Sequence, residues 1–123
     1  MTVCYISIDI EGKSKEIDKF FVDFKRTIRP KMQRFEFPFS YERNENKLYL
    51  NFENSNRDCP YLIEFLRNHS KTNKFIKIEC WINESQKEFF YLFKIRNGNS
   101  EFIDRTKAAH EVFYEKKQIE GIP

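Results

Sequence analysis

Cys4, Ile6, Ile8 and Ile10 alternate with Tyr5, Ser7 and Asp9, the period-two pattern of a strand with one buried face. Beyond Gly12, Ile17, Phe20, Phe21, Phe24 and Ile28 fall at helical spacing, which predicts an amphipathic helix with Ser14 as N-cap and Pro30 ending it. Phe35, Phe37, Phe39 and Tyr41 alternate with Glu36, Pro38 and Ser40, and Leu48, Leu50 and Phe52 alternate after the polar residues Asn44, Glu45 and Asn46. This predicts a hairpin, and Pro38 assigns its first strand to a sheet edge or a bulge because proline lacks a ladder donor.

Asp58, Cys59 and Pro60 then introduce a second helix with Leu62, Ile63, Phe65 and Leu66 as its apolar stripe. Ile76, Ile78, Cys80 and Ile82 alternate as a strand, as do Phe89, Tyr91, Phe93 and Ile95 after the polar stretch Asn83 to Gln86. Asn97-Gly98 is the strongest turn signal in the chain, since a type I′ turn needs positive φ at both central residues. A short strand through Phe102 pairs back, and Asp104 or Thr106 caps a third helix carrying Ala108, Ala109, Val112 and Phe113 before a weakly patterned tail from Gln118 to Pro123.

The element order βαββαβββα predicts an α+β fold. Its first six elements match a ferredoxin-like βαββαβ antiparallel sheet with two helices on one face, to which a C-terminal β-hairpin strand and a helix are added. In such a sheet the first and fourth strands are antiparallel neighbours, so Cys4 is expected to face Cys80, as buried packing or as a redox-sensitive pair.

Length and composition sharpen this picture. The chain of 123 residues suits a single domain, 1–123, and its fourteen Phe supply enough apolar surface to offset the entropy of ordering. Only three Gly and four Pro interrupt it, which fits short loops rather than linkers. The opening residues lack the features of a secretion signal, and no stretch is apolar enough to span a membrane. A soluble, cytoplasmic protein is expected. Its three cysteines, Cys4, Cys59 and Cys80, are odd in number and far apart, unlike a disulfide framework or a zinc site.

The main nucleophile, P-loop, dinucleotide and metalloprotease motifs are absent from the sequence. The expectation is therefore a protein that is not an enzyme, with no cofactor and no metal, although a site of dispersed carboxylates remains open. His69 and His110 are read as surface or boundary packing, because a lone histidine becomes a base only beside an orienting group.

The formal charge of +3 is too mild to imply a nucleic-acid partner by itself. Its distribution is more informative, because Lys25, Arg26, Arg29, Lys31 and Arg34 form a run without an acid. Such a run is either a solvated helix end or a contact for phosphate or an acidic surface. Tyr5, Tyr49 and Trp81 fall on the non-core faces of their strands, near Lys47 and Lys77. If that face is open, these residues form an interaction platform; otherwise the third helix or the Asn97-Gly98 hairpin covers it.

The opening VCYISIDIEGKSKEIDKFF resembles the start of a family of small plasmid and phage proteins described as YubB-like, with a ferredoxin-like domain. Cys4, the strand through Ile10, Gly12 and the helix through Phe21 correspond, whereas Val3 replaces the family's Trp and Ile6 a common Asn. The resemblance covers about twenty residues, implies a mobile-element setting and carries no catalytic residues. The reading that follows is a small protein-binding module, an inhibitor of the immunity-protein or phage anti-defence type that occludes a partner protein. The alternative partner is single-stranded nucleic acid, held by the aromatic and basic residues named above. No membrane partner is expected, and the protein is either a monomer or a homodimer joined through a sheet edge.

Overall fold

The computed structural model describes residues 3–28, 39–55, 59–73, 75–84 and 89–106. They form β1 (Val3–Glu11), α1 (Ser14–Thr27), β2 (Ser40–Arg43), β3 (Lys47–Ser55), α2 (Cys59–Thr72), β4 (Lys77–Glu84), β5 (Phe89–Arg96) and β6 (Asn99–Asp104). All six strands belong to one sheet in the order β2-β3-β1-β4-β5-β6, and every neighbouring pair is antiparallel. The architecture is α+β.

Alternation decides which face is buried. Ile6, Ile8 and Ile10 of β1, Leu48, Leu50 and Phe52 of β3, and Ile78, Cys80 and Ile82 of β4 are each at most 4% exposed and form one core cluster. Against them α1 brings Ile17, Phe20 and Phe24, and α2 brings Leu62 and Leu66. Phe24 sits at the centre, its ring 5.5 Å from Phe52, 5.7 Å from Phe39 and 6.3 Å from Phe65. Burying each such ring stabilises the fold by about 1.5–3 kcal/mol.

Two local expectations change. Lys13, not Ser14, occupies the N-cap position of α1, and it makes no side-chain cap bond. The Ser14 hydroxyl is engaged elsewhere, accepting from the Arg43 guanidinium at 3.0 Å. Arg43 also donates to Asp18 at 2.9 Å and to the Glu45 carbonyl at 2.9 Å, tying β2 to the start of α1. The second change concerns the cysteines. Cys80 lies opposite Ile8, and Cys4 lies four residues earlier in β1, opposite Asn54 of β3. All three cysteines are buried thiols.

At the β5–β6 turn, Asn97 and Gly98 adopt φ of 55° and 79°, as a two-residue hairpin requires. The Gly98 amide donates to Ser70 Oγ at 2.9 Å, which fastens the turn to α2. Asp104 accepts the Thr106 amide at 3.0 Å; the helix it is expected to cap lies outside the described residues. Phe35, Phe37, Pro38 and Asp58, the third helix with Ala108, Ala109, His110, Val112 and Phe113, and the tail from Gln118 lie outside the described residues. Among the described residues no helix is long and apolar enough to cross a membrane.

Candidate interaction surface

The side of the sheet opposite the helices is built from the alternate residues of every strand. The ladder registers place them in rows across it. One row runs Ser40, Asn51, Ser7, Trp81, Leu92 and Ile103, and the next runs Glu42, Tyr49, Asp9, Glu79, Lys94 and Glu101. Beyond it, Glu11 lies between Lys47 and Lys77, opposite both.

Tyr5 and Tyr49 project from this face and are 46% and 37% exposed. The Tyr49 hydroxyl donates to Ser7 Oγ at 3.2 Å, holding its ring along the sheet. Trp81 is half-buried, with its ring 5.2 Å from Phe90. Together with Ile103 and with Leu92, which is only 4% exposed, these two rings make the β4–β5–β6 end of the face apolar and half-buried to buried, so that its exposed part lies around Tyr5 and Tyr49. Tyr5, Trp81 and Tyr49 thus occupy three successive rows on three strands, with Ser7 and Asp9 among them. They are spaced anchors rather than one stacked platform.

The charged end carries residues that strand alternation alone did not single out. Asp9, Glu11, Glu79, Lys94, Arg96 and Glu101 line a shallow trough of about 810 Å³ together with Tyr49, Lys47 and Lys77. Asp9 and Glu79 are directly opposed, and Glu79 in turn lies opposite Lys94. Lys47 and Lys77 therefore sit in a mixed-sign field, not a basic one. The signal was present in the sequence, since Asp9 and Glu11 share the parity of Tyr5.

The basic run of the first helix is not part of this surface. Lys25 and Arg26 lie on α1, behind the sheet; Lys25 Nζ sits 4.4 Å from the centre of the Phe21 ring, and Arg26 pairs with Asp23 at 2.7 Å. Arg29, Lys31 and Arg34 lie outside the described residues.

His69 is more deeply set than a surface histidine. It is 8% exposed, Nε2 lies 2.9 Å from Asp23 Oδ2, and Nδ1 lies 3.4 Å from the Asn73 side-chain amide. The Phe20 and Phe65 rings lie 5.1 Å and 5.3 Å away. Asp23 is an orienting group that sequence spacing does not reveal, but both ring nitrogens already have partners within the fold. The pair ties α1 to α2 and leaves no nitrogen for a substrate. Among the described residues no group of three or more His, Cys, Asp and Glu could hold a metal ion.

On the helix side, a groove of about 700 Å³ opens between α2 and β5, lined by Cys59, Ile63, Ile82, Phe89, Tyr91 and Phe93 among others. Among the described residues two helices, each about 10 Å wide, stand against six strands spaced about 4.8 Å apart and do not reach across all of them. The aromatic face of β5, expected in the core, is consequently only half-buried, and Phe102 of β6 is 52% exposed.

The chain matches no protein-family model, no curated protein and no solved structure.

Proposed function

We propose that this protein is a non-enzymatic binding module that holds a partner protein against the Tyr5–Tyr49 part of the sheet face opposite α1 and α2, as an occluding inhibitor of the immunity-protein or phage anti-defence type. The observation that carries this reading is the pairing of projecting tyrosines with a mixed-sign trough, Tyr5 and Tyr49 beside Asp9, Glu11, Glu79, Lys77 and Lys94. Tyrosine combines large contact area with a polar tip and is enriched at binding hot spots. Alternating charge favours a protein of complementary pattern and fixes its register. A polyanion would instead meet Asp9, Glu11, Glu42, Glu79 and Glu101 on the same face, and this sets the nucleic-acid reading second.

The fold reading behind this proposal is a ferredoxin-like unit made of β1, α1, β2, β3, α2 and β4, extended by β5 and β6. The β4-β1-β3-β2 order within the sheet supports it, as does the two-helix cover on one face. Kinship with the YubB-like proteins belongs to the same proposal and rests on the opening residues.

Capture from host lysate, with and without nuclease and at low and high salt, tests the function. One stoichiometric protein should be recovered under all conditions. A Tyr5→Ala/Tyr49→Ala variant should lose at least about tenfold in apparent affinity, given hot-spot truncations of about 1–2 kcal/mol or more, with unchanged thermal stability. Recovery of nucleic acid alone, released by salt, would replace this reading with the second one; capture indifferent to both tyrosines would move the partner to another surface.

A further inference from the structure

The outer edge of β6 has the features of a self-association site. Among the described residues β6 ends the sheet, and its sequence NSEFID contains neither proline nor lysine. Its pairing with β5 runs without a bulge from Asn99 to Asp104. Proline, lysine and bulges are among the devices by which edge strands block pairing with another chain, and of charged residues β6 keeps only Glu101 and Asp104. The opposite edge, β2, is four residues long.

The direction of the backbone groups follows from one hydrogen bond. The Arg105 amide donates to the Phe90 carbonyl at 2.8 Å, so Arg105 is an inward-bonded residue. Alternation along an antiparallel ladder then turns Ile103, Glu101 and Asn99 toward β5, and Asp104, Phe102 and Ser100 outward. Asn99 and Arg96 closing the two-residue turn is consistent with that phase. Ser100, Phe102 and Asp104 thus present their N–H and C=O groups at the edge. Phe102 is also the most exposed aromatic of this region at 52%, with its ring resting on Tyr91 at 5.0 Å and Phe93 at 5.2 Å.

We propose that a second copy of this chain occupies this edge, with the two β6 strands paired antiparallel about a two-fold axis at Phe102, so that two six-stranded sheets continue as one. An outward-facing antiparallel strand is self-complementary under such an axis. In this register Phe102 meets the second copy's Phe102 on the helix side, which removes the largest exposed ring of β6 from water. Ser100 meets the second copy's Asp104, and each Glu101 lies opposite Ile103, with Arg105, its opposite charge, on one diagonal and the second copy's Glu101 on the other. The apolar grooves between α2 and β5 of the two copies face one another across the axis. This association does not depend on what binds the Tyr5–Tyr49 face.

Light scattering after size exclusion, over a concentration series, should show the mass rise from 15.1 kDa toward twice that value. Ser100→Pro removes an outward amide while leaving the bonds to β5 intact, and should hold the protein monomeric with unchanged thermal stability. Opposed hydrogen-bonded residues have Cα atoms about 5.5 Å apart, within disulfide range. A Ser100→Cys/Asp104→Cys variant should therefore cross-link into dimers on mild oxidation, and Ser100→Cys alone should not. A wild-type chain that stays monomeric throughout the series, or dimers that form without cross-linking the double variant, would overturn the proposal. Should Ser100→Pro unfold, the cysteine variants still decide between these outcomes.

Discussion

Gly12 links β1 to α1, and its amide donates to the Asn46 carbonyl at 3.0 Å. A Cβ built there would stand 2.7 Å from the Phe75 carbonyl oxygen, a backbone atom just ahead of β4. The residue is therefore required by the close approach of another segment more than by turn geometry, which is all that its position before a helix suggests. Gly12→Ala must push the β4 entry away from the β1–α1 junction, and overpacking of this kind costs about 1–3 kcal/mol. Chemical denaturation should show a lower midpoint with unchanged slope. A variant as stable as the parent would mean that the Phe75 segment yields freely.

Between elements, the tie from His69 on α2 to Asp23 on α1 shows what alternation and helical spacing can and cannot carry. Periodicity marks Phe20, Phe24, Leu62 and Leu66 as inward because their neighbours three and four residues away share a face. It says nothing about a carboxylate and an imidazole 46 residues apart. Cys4 and Cys80 failed for the same reason: strand adjacency was legible in the element order, but the register that puts Ile8 opposite Cys80 is set by where each strand begins. The half-buried face of β5 depends on how far α1 and α2 reach across the sheet, which local pattern does not weigh. At the candidate site, Tyr5 and Tyr49 were legible as outward residues, whereas the neutralising acids around Lys47 and Lys77 became meaningful only once the rows were aligned. For the helix tie, Asp23→Ala leaves a buried imidazole nitrogen without its acceptor and should cost about 1–3 kcal/mol. Asp23→Asn retains an oxygen acceptor at that position and should cost less. Equal losses in the two variants would show that packing of Phe20 and Phe65 against the ring, rather than the hydrogen bond, joins the helices.

For the molecule as a whole, the core cluster between the helices and the sheet makes folding sensitive to alkali. Cys80 lies at its centre, and burial raises its thiol well above the ordinary value of 9.0, with the neighbouring Cys59 adding to the rise. The folded chain thus keeps this proton where the unfolded chain releases it. A group whose folded pKa is raised contributes its stability fully below the unfolded pKa, and that contribution declines as pH climbs above it. Folding stability should therefore fall above about pH 9, by up to about 1.4 kcal/mol for each pH unit assigned to this thiol. Cys80→Ala removes the titrating group; it should lower stability at neutral pH through the cavity it leaves, yet flatten the decline between about pH 8 and pH 10.5. Denaturant melts of both proteins across that interval measure the two slopes directly. Parallel slopes would mean that Cys80 ionises as readily in the folded core as in the open chain, and that the alkaline sensitivity arises from other groups.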